Sequence, residues 1–253
     1  MQFIDTHCHI HQADYPLDSE EIWQQAKKAN VSKLICVGTD KVSSNQAVEF
    51  AAKHGEIYAS VGLHPHEAKY GAGGLAELAA QPKVIAIGEC GLDYFYKHSP
   101  KDQQIEVFNQ QIELALKHDL PLIFHVREAL DDFWPIIDNF HGLRGVLHSF
   151  TGSQAELEKA LSRDLFIGVN GISTFAKQPD LQKMFANIPL ENLLLETDAP
   201  FLTPAPYRGK INAPAYVVLV AEYVAKLKQV SLEEIASVTS ENANRLFALN
   251  NKS

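Results

Sequence analysis

Phe3-Ile4-Asp5-Thr6-His7-Cys8-His9 is an apolar, partly β-branched run that ends in a His-x-His pair. In an extended strand, side chains two apart share a face. His7 and His9 therefore present two imidazoles to one point, while Cys8 faces the other way. Imidazole is the commonest protein ligand for transition metals, and two on one face form half of a metal site. A lone His-x-His pair is weak evidence. This one gains weight because other short apolar runs along the chain also end in His, Glu or Asp.

Including the first, those runs span 3–7, 33–38, 57–63, 84–89, 122–125, 145–148, 166–169 and 193–197. Between them lie segments with helical spacing at 20–30, 44–54, 73–80, 102–118, 129–140, 153–163, 180–187 and 214–229. Ile105, Phe108, Ile112, Ala115 and Leu116 show the 3.6-residue period. Capping-box patterns mark three helix starts: Ser43 with Gln46, Ser153 with Glu156, and Ser231 with Glu234. The last opens an extra C-terminal helix over 232–248.

Strict alternation of strand and helix implies a parallel sheet, and eight repeats imply closure into an α/β (β/α)8 TIM barrel. The alternative, an open doubly wound sheet, lacks its usual mark: no Gly-rich phosphate fingerprint follows the first run. No linker or shift in composition divides the chain, so 1–253 is expected to be a single domain. The one long irregular stretch, 199–213, carries Pro200, Pro204 and Pro206 with Arg208 and Lys210. It is expected to lie as a semi-rigid loop over the ends of the strands.

A chain of 253 residues, 46% hydrophobic, can bury a large core. No stretch approaches ~18 consecutive apolar residues, so no membrane span is expected. The metal strand begins too early to leave room for a cleaved secretory leader. Cys8, Cys36 and Cys90 sit in apolar runs and form no disulfide framework, which points to a cytoplasmic protein. A net charge of −9 argues against an extended nucleic-acid surface, which would need a basic stripe. It leaves room for a pocket that takes one phosphate group at a metal. No obligate protein partner is implied.

In a (β/α)8 fold the carboxyl ends of the strands converge on the active site. Those ends supply His7, His9, His64, Glu89, His125, His148 and Asp198. Each alone has an ordinary reading, as a hydrogen-bonded core histidine, a paired acid or a turn cap. So many ligand-type residues at one rim point instead to metal. His64 aside, four imidazoles and two carboxylates exceed the needs of one tetrahedral ion but suit two divalent ions sharing a bridge. Glu89 is the natural bridge, with His7, His9 and Asp198 on one ion and His125 and His148 on the other. Two divalent cations outweigh two carboxylates, so the site would be locally cationic and attract phosphate esters. His118 is expected near a helix C-terminus, where its cation would favour the dipole, and His11, His54, His66, His98 and His141 at the surface or in loops.

The matching segments then extend over nearly the whole chain: Asp5–His9, Gly62-Leu63-His64-Pro65, Gly88-Glu89-Cys90-Gly91-Leu92-Asp93-Tyr94, His125-Val126-Arg127 and His148-Ser149-Phe150-Thr151-Gly152. They continue with Thr174-Phe175, Glu196-Thr197-Asp198-Ala199-Pro200, Arg208-Gly209-Lys210 and Asn242-Ala243-Asn244-Arg245-Leu246-Phe247. With these, the chain resembles the TatD-type metal-dependent deoxyribonucleases, a branch of the amidohydrolase-like metal-dependent hydrolases. The resemblance implies metal ligands at His7, His9, Glu89, His125, His148 and Asp198, and DNA as the substrate class. Imidazole ligands favour Zn, Mn, Co or Ni, and the resemblance also admits Mg. Family members usually read Arg-Gly-Lys-Arg-Asn-Glu-Pro after the last strand, whereas this chain has Ile211 and Ala213 at the fourth and sixth places. That departure bears on substrate choice and leaves the metal chemistry intact.

The expected reaction is phosphodiester hydrolysis by a metal-activated water. Asp198 would accept the water's proton and pass it to the leaving oxygen. His64, with no ligand slot left, is assigned to the leaving group or phosphate, against a structural role. Glu196 is assigned to orienting a ligand, against simple packing. Arg127, Arg208 and Lys210 are candidate phosphate contacts, against solvated cations. Tyr94, with Phe95 and Tyr96, could stack on an unpaired base or merely pack. Single-stranded DNA or frayed ends would then be preferred. Two other readings stay open: hydrolysis of a small amide, ester or phosphate monoester, and a metal-binding protein without activity.

Overall fold

The structure is a computed structural model describing residues 1–249. The strands are β1 (Phe3–Cys8), β2 (Val31–Val37), β3 (Ile57–Val61), β4 (Val84–Asp93), β5 (Leu122–Arg127), β6 (Gly145–Leu147), β7 (Phe166–Val169) and β8 (Leu193–Leu195). They follow one another in the sheet in chain order. Helices α1 (Ser19–Lys28), α2 (Lys41–Ala52), α3 (Leu75–Ala79), α4 (Lys101–His118) and α5 (Leu130–Asp138) alternate with the first strands. The remainder are α6 (Gln154–Leu161), α7 (Ile172–Phe175), α8 (Pro179–Asn187), α9 (Val217–Lys228) and the extra C-terminal α10 (Leu232–Phe247).

Local capping follows the sequence at two of the three starts. Ser153 and Glu156 form a reciprocal capping box on α6, and Ser231 Oγ accepts from the Glu234 amide at 3.0 Å. At α2 the cap is Asp40, not Ser43. The Asp40 carboxylate accepts from the Ser43 amide at 2.7 Å, and Ser43 Oγ accepts from the Asp40 amide at 2.9 Å. An aspartate three residues upstream offers an anionic acceptor to the positive helix end, so the helix starts there.

The chain divides into two compact units. The first comprises Met1–Cys36 and Ser149–Arg245. In it β1 pairs in parallel with β2, and β7 with β8. The end of β1 is tied to the segment after β8: the Asp198 amide donates to His7 O at 2.8 Å, and the His9 amide to Ala199 O at 2.7 Å. The buried Asp5 carboxyl reinforces this seam, accepting from the Thr197 amide at 2.9 Å and pairing with its hydroxyl at 2.6 Å. Burial pushes the Asp5 carboxyl up to about 8. Helix α9 packs on β1 and β8 and buries Val217, Val220, Ala221 and Val224. In the loop after β8, Asn212 is fully buried and its amide donates to Thr197 O at 2.8 Å.

The second unit comprises Val37–His148 and, among the described residues, 246–249. It contains β3 to β6, each paired in parallel with the next. Strand β4 does not stop at Glu89; it runs four residues further, so that Asp93 pairs with Arg127 of β5. Gly91 permits this extension. Its φ is 141°, and a Cβ there would lie 2.1 Å from His125 O. Beneath β5, Phe124 packs edge-on to Phe108 and Phe133, whose own rings stack at 5.7 Å.

Two of the strands that carry candidate ligands share an irregularity. Between Asp5 and Cys8, β1 carries one more residue than β2 does between Leu34 and Cys36. Between Ile87 and Cys90, β4 carries one more than β5 does between Leu122 and Phe124. The extra residues fall beside His7 and Glu89. A one-residue insertion bends a strand and re-aims its side chains.

Candidate active site

In the first unit, His7 and His9 emerge from the end of β1 and Asp198 from the turn after β8. The two Nε2 atoms are 3.1 Å apart, and Asp198 Oδ1 lies 3.6 Å from His7 Nε2 and 3.3 Å from His9 Nε2. Ligand atoms around a tetrahedral ion with bonds of about 2.0–2.1 Å are separated by about 3.3–3.4 Å. The donor set fits a divalent cation in both chemistry and spacing. Asp198 has φ 60°, in the left-handed region that a non-glycine residue seldom occupies. Its backbone bond to His7 fixes it there.

In the second unit the donors gather on one carboxylate oxygen. Glu89 Oε1 lies 2.9 Å from His125 Nδ1, 3.7 Å from His64 Nε2 and 3.8 Å from His148 Nε2. His64, Glu89 and His125 together present one ligand atom each within 4.8 Å of one another. The tautomer of His64 separates it from the other two imidazoles. Its Nδ1 accepts from the His66 amide at 3.2 Å, so in the neutral ring the proton sits on Nε2. Burial, and then the neighbouring His125, hold His64 well below the usual imidazole range and keep it neutral. Its Nε2–H is a donor aimed at the site, which leaves His125 and His148 as the candidate ligands.

Asp93 is the residue that the sequence reading missed. Its Oδ2 takes His125 Nε2 at 2.9 Å and His66 Nε2 at 3.1 Å. Burial alone would raise this carboxyl, but hydrogen bonds from His125, the Tyr96 amide and His66 hold it well below the usual carboxylate range. On the His125 ring, burial favours the neutral form; Asp93 and then Glu89 outweigh it and raise its affinity for protons. With Asp93 accepting from Nε2–H, Nδ1 turns its lone pair toward Glu89, the arrangement by which a carboxylate orients a metal-ligating histidine. The signal was present in the sequence: Asp93 lies four residues beyond Glu89 on one strand. His66, in the connection after β3, is tied into this network, and His11 is buried.

Glu196 is almost fully buried, and its Oε1 accepts from the Ser149 amide at 2.7 Å and from Asn170 Nδ2 at 3.2 Å. It thus grips the backbone at the residue following His148. Gly168 makes room for it, since a Cβ there would lie 2.5 Å from its carboxylate.

The candidate substrate residues are spread over both units. Tyr94 donates its hydroxyl to Asp132 at 2.8 Å, with the Lys101 ammonium 4.8 Å from its ring. Arg127 places its guanidinium 4.1 Å from the Phe95 ring and 4.8 Å from the Tyr96 ring. In the first unit, Arg208 stacks 3.7 Å over Phe175 and donates to Thr203 O at 3.0 Å, while Lys210 lies 5.3 Å from the Tyr207 ring. Ile211 is exposed and Ala213 buried, the two places where the loop departs from the family's usual wording.

Parallel strands alternating with helices, and His and carboxylate donors at strand ends, define a metal-dependent hydrolase on the (β/α)8 TIM-barrel fold. The family model described as TatD related DNase matches residues 4–248, and the chain belongs to that family. The uncharacterized metal-dependent hydrolase YabD of Bacillus subtilis is 41% identical over 97% of this chain and 99% of its own. The 3'-5' ssDNA/RNA exonuclease TatD of Erwinia tasmaniensis is 35% identical, covering 97% of this chain and 99% of its own. Among solved structures, YjjV, a TatD homolog from Escherichia coli, aligns with a TM-score of 0.90 at 30% identity over 97% of this chain and 98% of that one.

Proposed function

We propose that the protein hydrolyses phosphodiester bonds in single-stranded nucleic acid, DNA above all, with two divalent ions. His7, His9 and Asp198 hold one ion, and Glu89, His125 and His148 hold the other. The observation that carries this reading is the spacing of the first cluster, three donor atoms 3.1–3.6 Å apart on the two strand ends. Family membership and the Erwinia relative's printed activity support the substrate class. Bound divalent ions acidify a coordinated water and polarise the phosphoryl oxygen.

The chain's own groups do the rest. Asp198 Oδ takes the proton of the attacking water and returns it to the leaving oxygen. His64 gives its Nε2 hydrogen as a hydrogen bond to a phosphate oxygen or the leaving group. Glu196, by holding the Ser149 amide, fixes the backbone from which His148 extends. Arg127, Arg208 and Lys210 meet phosphates, with Tyr94 as the wall behind Arg127's turn. With reduced, buried Cys8, Cys36 and Cys90, the reading places the protein in a reducing compartment, the cytoplasm. Among the described residues no helix is long and apolar enough to cross a membrane.

The test is turnover of metal-reconstituted protein on single-stranded and duplex DNA, RNA, and small esters and amides. Single-stranded substrate should be cleaved faster than closed duplex, with the dependence of binding on salt shallow, about −2 to −3 in log–log slope for three or four phosphates at roughly 0.7 each. Ile211→Arg should steepen that slope if the loop after β8 touches the backbone. Cleavage of small esters or amides, with no nucleic acid cleaved by any divalent metal, would make the small-molecule reading the better one.

A further inference from the structure

The turn that follows β4 displays two large aromatic side chains that the core does not use. Phe95 is 47% exposed and Tyr96 50% exposed, their rings edge-to-face at 4.8 Å. The display is held firmly. Asp93 Oδ1 accepts from the Phe95 amide at 3.0 Å and the Tyr96 amide at 2.9 Å. The same carboxylate, through Oδ2, holds His125 and His66. The Tyr96 ring lies 5.3 Å from the His66 ring, and His66 lies 6.3 Å from His125. From the candidate ligand to the exposed platform is therefore two ring-to-ring steps, joined by one carboxylate.

Tyr94 is not part of this display, since its hydroxyl is committed to Asp132 and Lys101 covers its ring. Arg127 is: its guanidinium sits against both exposed rings. The His98 ring stacks on Tyr96 at 5.8 Å and backs it from one side. Half-exposed aromatic rings braced in this way beside a fixed cation suit a flat, uncharged ring system attached to an anion. An unpaired nucleobase with its phosphate is that ligand, because every base offers a π-face and Arg can meet the phosphate.

We propose that Phe95, Tyr96 and Arg127 form a nucleobase-stacking site for the nucleotide adjacent to the phosphate held at the Glu89–His125 cluster. It deepens the phosphodiesterase reading and rests on it for the identity of the strand. Stacking here needs an unpaired base, so the site would select single strands by geometry, without reading sequence.

The experiment compares wild type with the Phe95→Ala/Tyr96→Ala double variant and with Tyr96→Trp. Binding of a fluorescein-labelled oligothymidylate is read by anisotropy in calcium, alongside the same oligomer carrying abasic residues at its 3' end. The double variant should bind the intact oligomer about 5- to 150-fold more weakly, the range for losing one stacked base. Tyr96→Trp should bind at least as well as wild type, and the preference for intact over abasic oligomer should collapse in the double variant alone. Circular dichroism melts identify a variant that has simply lost its fold, in which case Tyr96→Trp and the abasic comparison in wild type decide the matter. Equal binding of intact and abasic oligomer by wild type, or unchanged binding by the folded double variant, overturns the site. Failure of wild type to cleave any oligonucleotide with any divalent metal overturns the phosphodiesterase reading. Base-dependent binding lost in the double variant would still uphold the stacking site.

Discussion

The two donor clusters are built on different plans. His7, His9 and Asp198 are aimed by main chain, through backbone hydrogen bonds that stitch the end of β1 to the segment after β8. In the second cluster His125 is aimed by side chain, with Asp93 behind it, Glu89 in front and an aromatic turn continuing outward to solvent. Backbone stitching, reinforced by the buried Asp5 carboxyl on Thr197, makes a socket whose shape rests mainly on main chain. A cluster strung on carboxylates hinges on one residue, and that residue also fixes the turn where substrate would lie. The first plan suits permanent tenancy of an ion; the second suits an ion whose surroundings must accommodate substrate.

The largest effect should come from the stitched cluster. Asp198→Asn keeps an oxygen for the metal but removes the group that accepts and returns a proton, so kcat should fall by about 10²–10⁴ while most metal remains bound. Turnover close to wild type at neutral pH, with metal content measured in parallel, would take Asp198 out of the proton-transfer role. It would also leave the second cluster as the seat of chemistry.

A smaller, selective effect should follow from Asp93→Asn. Removing a carboxylate behind a ligating histidine weakens metal affinity by about 10–100-fold. Calorimetric titration should show one of two ions weakened and the other unchanged. Equal loss at both ions, or at neither, would mean that the clusters do not differ as described. Base-dependent oligonucleotide binding should weaken in the same variant, because Asp93 also anchors the Phe95–Tyr96 turn.

The smallest effect belongs to a group in neither cluster. Lys228 donates to the carbonyls of Ala186 and Ile188 near the end of α8, and burial pushes its ammonium down to about 8. Between about 8 and its ordinary 10.5, the unfolded chain binds more protons than the folded one. Stability contributed by this group should therefore rise with pH across that window and be flat below it. The group is partly exposed, so the change in Tm should be only about 2–4 °C. Lys228→Met should abolish that rise without altering either metal affinity; an altered affinity would show coupling that the two-cluster picture lacks.

The sequence carried the fold because alternation was strong: all eight apolar runs became strands, and the extra terminal helix formed within a residue of its expected limits as Leu232–Phe247. Strand-end residues were legible for the same reason, and the structure gathers them into the two clusters. What escaped notice was local. Gly91 looks like a stop, yet here it is the only side chain small enough to let β4 continue against His125 to Asp93. Short elements such as α7, four residues long, are too brief for a periodic signal. Asp40 took the cap because its carboxylate accepts the Ser43 amide one turn earlier, which leaves Ser43 as the third helical residue returning a bond to the Asp40 amide.

The extra residues beside His7 and Glu89 have a consequence for how such a protein can change over time. A plain strand ties every side chain's direction to all those before it, because a slip of one position turns the whole run inside out. An inserted residue resets that alternation partway along. Upstream of it, Phe3 and Ile4, or Val84 to Ile87, answer only to the interior. Downstream, the donors answer only to the metal. Drift in the hydrophobic half can then proceed without swinging the reactive half, and a lineage could alter its substrate chemistry while keeping one core.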